Sequence, residues 1–385
     1  MKKKGCAVLG CFGTVLLIAA VAGVIGIGTM FRLSEAPPSP EPTPEPPPGP
    51  GPGPAPTGAP WGTRRATPTP APAVDPDRFL SHPGEWRQFA RDDDGPRYRL
   101  RYGFVDYAGR RHDVTCGISK AAVDKARRVF GWDQREIAST LNADLQETVD
   151  AEIARRGLTG SVRVEISEYG SWRREVVHTP EDEAGRARVD RFDAWLRDEF
   201  MPLFTRIEAR TFRRHGLLVR DRNVQIDYNR LAVESTGDVQ SCYDALLISA
   251  GSATGTVAAS DRYFMGVLLA FFQELKYERP PDKEGARDIF GLWVPTQVLS
   301  DGKGDCDSKA LAFASIWRQR RARVIVILVP EHALIGVEGK PGPGESFVRV
   351  GNRYYVLCEV AGPGKLPPGH KSISGTFEYV EIEST

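Results

Sequence analysis

An uncharged, mainly apolar run from Gly5 to Phe31 opens the chain, long enough to cross a bilayer as one helix. Hydrophobic patterning then disappears. Residues 36–76 begin APPSPEPTPEPPPGPGPGP, a composition that builds no core and predicts extended, polyproline-like chain. At about 3.1 Å per residue such a segment reaches on the order of 100 Å. Periodicity resumes near Asp77. PRYRLRYGFVDYAGRRHDVTCGIS alternates apolar and polar residues on both sides of an Ala-Gly turn, which predicts a β-hairpin. Ile137, Leu141, Leu145, Val149 and Ile153 recur every four residues and predict an amphipathic helix ending near Gly157. SVRVEISEYGSWRREVVH reads as a second hairpin. TPEDEA then reads as a helix start, with Thr179 as N-cap and Pro180 in the first turn, ahead of an apolar-periodic stretch through Trp195, Phe200 and Phe204.

From Asp261 the pattern sharpens. Phe264, Val267, Leu268, Phe271, Phe272 and Leu275 form one apolar helix face, broken at YERPPD. A loop containing GLWVPTQVLSDGKGD leads into another helix, whose inward face is Ala310, Leu311, Ala314 and Trp317. Arg318, Arg320 and Arg321 close it, where positive charge suits the carbonyl end. RVIVILV is a continuous apolar run and predicts a buried strand. HALIGVE, SFVRVG and RYYVLCEV predict three more, the last two joined by a turn at VGNR. The fold class is therefore α+β, with a helix followed by an antiparallel sheet at the C-terminal end.

Composition narrows the function. With 385 residues, a formal net charge of +1 and 41% hydrophobic residues, the chain has no basic excess for nucleic acid. Six cysteines are too few for a disulfide scaffold of this length, and no C-x-x-C pair suggests a zinc ribbon. Cys116 and Cys242 are equally consistent with one disulfide and with two buried thiols. Lys2, Lys3 and Lys4 precede the apolar run and place the remainder outside the cytoplasm. The run is longer than the apolar core of a signal peptide, so an uncleaved anchor is expected. The expected organisation is a cytoplasmic stub and anchor (1–35), a disordered Pro-rich linker (36–76), an unassigned α+β region (77–260) and a cysteine-bearing domain (261–385). The localisation is the cell membrane, single-pass, with the globular part outside the cytoplasm. No oligomeric state is assigned.

Candidate chemistry lies in the last of these parts. Cys306 sits between two aspartates, behind a glycine-rich turn, where a helix begins. A helix start supplies unpaired N–H groups and the positive dipole end, both of which favour a thiolate. Asp305 and Asp307 oppose this unless they point elsewhere, for instance in capping the helix. His332 opens the strand after the next and is the candidate base. Glu359 lies in an otherwise apolar strand, where a buried carboxylate needs a partner such as the imidazole. Cys358, its neighbour, is expected to face the other side of the sheet, which disfavours a metal site shared by Cys306, His332, Cys358 and Glu359. DGKGDCD lacks the ligand pattern of a calcium loop, since Lys303 occupies a ligand position and Ala312 stands where a closing glutamate is needed. His82, His112, His178 and His215 read as surface or capping residues.

FFQELKYERPPD, VPTQVLSDGKGDCDSKALAFASIW, VPEHALIGVEG and GNRYYVLCEV together resemble the transglutaminase-like superfamily, in particular its bacterial cysteine-peptidase-like members. The resemblance covers about the last third of the chain. It implies a papain-like core, a nucleophile helix packed on an antiparallel sheet. It implies Cys306 as nucleophile, His332 as base and Glu359 as the orienting acid, where the superfamily more often has aspartate. Gln297 is implied as an aid to the oxyanion site. The expected activity is attack on peptide or isopeptide amides of a peptide or protein substrate through an acyl-enzyme, with no cofactor. Water as acceptor makes a peptidase or amidase, an amine makes a cross-linking enzyme, and a silent domain would serve as a cell-envelope binding or scaffold module.

Overall fold

The computed structural model describes residues 64–66, 88–220, 223–255, 259–362, 364–373 and 375–384. The expected membrane anchor, most of the Pro-rich linker and His82 lie outside the described residues. Among the described residues, no helix is long and apolar enough to cross a membrane.

The chain is α+β, as its patterning predicts. Strand β1 (Arg64–Ala66) comes first, followed by β2 (Gln88–Asp92), β3 (Arg97–Val105) and β4 (Arg111–Ser119), which pair as an antiparallel sheet. Helices α1 (Lys120–Val129) and α2 (Gln134–Arg155) lead to the hairpin β5 (Val162–Ser167) and β6 (Ser171–Val176), then to the long α3 (Glu183–Arg214). A short hairpin, β7 (Leu217–Arg220) and β8 (Asn223–Ile226), precedes α4 (Tyr228–Ser235), α5 (Gln240–Thr254) and α6 (Asp261–Glu274). Three two-residue strands follow, β9 (Lys276–Tyr277), β10 (Lys283–Glu284) and β11 (Arg287–Asp288). Helix α7 (Pro295–Asp301) and strand β12 (Lys303–Gly304) then bring the chain to α8 (Cys306–Trp317). Finally come β13 (Val324–Val329), β14 (His332–Glu338), β15 (Phe347–Val350), β16 (Arg353–Cys358) and β17 (Phe377–Ile382).

The main sheet runs β1-β17-β13-β14-β16-β15, antiparallel throughout. Both of its faces are covered at β13. Val324 and Val326 join the core that contains α8, while Ile325 and Ile327 join a second cluster on the other face with Leu334, Tyr355 and Phe377. That is why RVIVILV reads as an unbroken apolar run rather than an alternation. The α8 core does not divide at residue 261. It joins Leu100 and Ile118 of the β2–β4 sheet and Leu231 of α4 to Phe272, Phe313, Trp317 and Ile335. A separate cluster holds α2, α3 and the β5–β6 hairpin together around Leu145, Val149, Phe192 and Leu196. Cys116 of β4 and Cys242 of α5 are joined by a disulfide.

Several expectations change. The linker over residues 36–76 is interrupted by β1, which pairs with β17; it falls in the proline-free stretch 61–67, where every residue can donate to a ladder. The N-cap of α3 is Asp182, whose carboxylate accepts from the Gly185 N–H, and not Thr179. Strand β17 was not expected from its short, charge-studded run. His112 is a core residue, stacked on Phe104 with ring centroids 4.8 Å apart. Its two ring nitrogens meet Ser249 and Asp106, whose carboxylate also accepts from Arg110 and from the Tyr263 hydroxyl. This buried network ties the β3–β4 turn to α5 and α6.

Candidate active site

Helix α8 starts where two devices stop the preceding chain. Gly302 ends α7 in the left-handed region, φ 64°, with the Phe89 ring packed where a side chain would sit. Gly304 then passes 3.3 Å, by its would-be Cβ, from Ser308. Asp305 is the N-cap, accepting from the Ser308 N–H at 3.1 Å. The Ser308 hydroxyl in turn accepts from the Trp293 N–H at 3.0 Å, which clasps the loop before α7 to the helix. Lys309, wholly buried, donates to the carbonyls of Leu275 and Ala361 at 2.7 and 3.0 Å and locks the helix to the end of α6 and to the chain just past Glu359.

His332 is fixed by a tight hairpin. Val329 of β13 pairs with His332 of β14, leaving only Pro330 and Glu331 in the turn, with Glu331 at φ 63°. His332 Nε2 lies 2.7 Å from Glu359 Oε2. Glu359 stands one residue beyond β16, not within it. Its other oxygen accepts from the Ala361 N–H at 3.0 Å, and Lys371 Nζ approaches Oε2 at 3.3 Å. Burial alone would raise the Glu359 carboxyl. The hydrogen bond and charge of His332, the Ala361 amide and Lys371 outweigh it and hold the group below its ordinary value. The Gln273 side chain donates to the Glu359 carbonyl and is itself held by the Tyr107 hydroxyl, so the acid has a supporting layer behind it. Because Nε2 is committed to Glu359, the free ring nitrogen of His332 is Nδ1.

Cys306, 1% exposed, is brought to the same place. The backbone amide of Ala333, the residue after His332, lies by its sulfur and favours the anion. The remaining surroundings oppose it. Burial pushes the Cys306 thiol well above its ordinary value, and Asp307 and Asp305 add to this. The thiol does not follow the expectation from the helix start alone, because one of the two flanking aspartates does not turn away. Asp305 caps the helix, but Asp307 accepts from the Cys306 Sγ–H at 3.3 Å. Asp307 also accepts from the hydroxyl of Tyr228, on α4, at 3.1 Å. Burial raises Asp307 as well, against the opposing influence of these two donors, His332 and Arg279. Burial, with Asp307 beside it, raises Asp305 to about 6.

The structure thus gathers Cys306, His332 and Glu359 around one end of α8. Gln297 is buried on α7, which packs against α8, but its side chain makes no hydrogen bond with these three. Tyr228, Lys371 and Gln273 belong to the site without having been singled out by sequence. A cysteine-flanking Asp307 was visible, but its direction was not. Cys358 is free and buried in the core. Among the described residues, no group of three or more His, Cys, Asp or Glu could hold a metal ion.

No protein-family model, curated protein or solved structure matches this chain.

Proposed function

We propose that this chain is a thiol hydrolase of transglutaminase-like, papain-like architecture, cleaving peptide or isopeptide amides through Cys306, His332 and Glu359. The observation that carries the reading is the 2.7 Å contact of His332 Nε2 with Glu359 at the mouth of the helix that starts with Cys306. A thiol, a base and an acid that orients the base are the minimum for acyl transfer through sulfur. The Cys306 proton passes to His332 Nδ1, and the thiolate adds to the amide carbonyl. The C–N bond then breaks as His332 returns the proton to the leaving amine. Water, deprotonated by His332, attacks the thioester and releases the acid and the free thiol. First-turn amides of α8 are the oxyanion donors at hand. Gln297, buried on α7 beside α8, is the side-chain donor that would join them. In this reading the anchor over residues 1–35 holds the enzyme at the membrane with the globular part outside.

A second reading is a silent scaffold of the same architecture. The observation in its favour is the closed-in Cys306, whose proton is held by Asp307. Hydrolysis of a panel of peptide and isopeptide amides by the full chain separates the two. Turnover lost in Cys306→Ala supports the enzyme. A panel with no turnover, together with a Cys306 thiol indifferent to His332→Ala, sinks it.

A further inference from the structure

Asp307 has an unusual place for a residue that follows a nucleophile. Its Oδ1 accepts a hydrogen bond from the Cys306 thiol at 3.3 Å and its Oδ2 accepts one from the Tyr228 hydroxyl at 3.1 Å. Tyr228 is itself buried and comes from α4, far outside the segment that carries Cys306, His332 and Glu359. The two bonds use different oxygens, so the carboxylate is braced between the thiol and a rigid donor. Its orientation is therefore set by α4 rather than by its own flexible torsions. Helices α4 and α8 pack directly against each other, which gives the brace a fixed span.

We propose that Asp307, braced by Tyr228, is a positioning residue that keeps the proton on Cys306 in the closed site, and that the thiolate forms only when this contact is surrendered to His332. The inference rests on the proposed hydrolase reading for its significance, but its observable is the thiol itself. The S–H bond of Cys306 breaks, an N–H bond forms at His332 Nδ1, and Asp307 loses an accepted hydrogen bond without gaining a proton. The charged and titratable groups that bear on the carboxylate are Cys306 on its own helix, Asp305 at the helix cap, Tyr228 of α4, His332 of β14 and Arg279 of the loop after β9. Asp305, on the turn before the helix, bears on Cys306 and on Tyr228. A negative group held against a thiol opposes its ionisation, and no hydrogen bond to a carboxylate can favour the anion of the donor. The arrangement protects a reactive thiol and places control of it in α4, on the N-terminal side of residue 261.

The test is the pH dependence of Cys306 alkylation by iodoacetamide in the full chain, read by peptide mass spectrometry so that the other thiols are scored separately. Wild type, Asp307→Asn, Tyr228→Phe, His332→Ala and the Asp307→Asn/His332→Ala pair are compared. Asn keeps an acceptor for Tyr228 while removing the charge. The expected result is a lower labelling midpoint in Asp307→Asn, with alkylation at pH 7 at least about tenfold faster. Tyr228→Phe moves the same way by less, and the double variant loses most of the gain. An unchanged or raised midpoint in a folded Asp307→Asn overturns the proposal. Should that variant fail to fold, Tyr228→Phe decides: a lowered midpoint supports the brace, an unchanged or raised one overturns it. If Asp307→Asn accelerates labelling but His332→Ala changes nothing in either background, the hold of Asp307 on the thiol stands, while the transfer to His332 and the hydrolase reading that needs it both fail.

Discussion

The Tyr228 hydroxyl donates to Asp307 across 79 residues of sequence, and the other oxygen of that carboxylate holds the Cys306 thiol. The site is thus not confined to the C-terminal segment that carries its chemistry. Helix α4 and the β2–β4 sheet share one core with α8. Changes before residue 261 therefore reach Cys306 through packing and through a hydrogen bond.

Glu359→Gln is expected to keep the Ala361 contact and to lose the charge that orients and stabilises the His332 cation. Turnover should fall by about 10²- to 10⁴-fold with little change in substrate affinity. Steady-state kinetics across pH check this. Glu359 is held below its ordinary value, so it stays ionised through the neutral range, and its stabilising contribution is lost only as pH falls through the folded value. An acid limb of activity near neutrality therefore does not come from Glu359.

Asp305 gives the opposite sign. Its folded value near 6 lies above the unfolded one near 4. A carboxyl raised in this way is penalised when ionised: the penalty is full above about pH 6 and vanishes below about pH 4. Asp305→Asn retains an N-cap acceptor and removes the charge. Urea denaturation should find the variant more stable at pH 8, by up to about 2–3 kcal/mol, with the gap closing toward pH 4.

Lys309→Met tests the strut beneath the site. Methionine fills the volume but leaves the buried carbonyls of Leu275 and Ala361 without this donor. A loss of about 2–4 kcal/mol is expected in denaturant melts. Because Ala361 also donates to Glu359, turnover should fall along with stability.

The Cys116–Cys242 bridge closes a loop of 126 residues in sequence separation. Chain-entropy reasoning puts its contribution at no more than about 5 kcal/mol. Reduction, or a double Cys→Ser variant, should lower the thermal midpoint clearly. The bond links β4 to α5, so the effect should appear in global unfolding.

What could be read from sequence was local. Cys306 is announced by its glycine turn and by the apolar helix after it, His332 by the strand it opens, and Glu359 by its charge in apolar company. The hairpins and helices with clean periods, such as Ile137 to Ile153, follow from spacing alone. What depended on tertiary partners was hidden. The direction of Asp307 is set by Tyr228, and no spacing within α8 encodes it. His112 looked like a surface residue because Ser249 reaches it only when α5 packs on β4, and Asp106 only when the β3–β4 hairpin closes. Thr179 and Asp182 are both acceptable caps; the chain geometry around Pro180 and Gly185 selects the second. Lys371 reaches Glu359 from a stretch without regular structure, where no pattern marks it.

The central claim is that Cys306 forms an acyl-enzyme with His332 as its base. The most direct test is to mix the full chain with p-nitrophenyl acetate at pH 7.5 and follow nitrophenolate release alongside peptide mass spectrometry. A burst of nitrophenolate is expected, with an acetyl group on Cys306 that turns over, and both the burst rate and the deacylation are slowed by about 10² or more in His332→Ala. No adduct on Cys306, or an adduct that forms and decays at the same rate without His332, would contradict it.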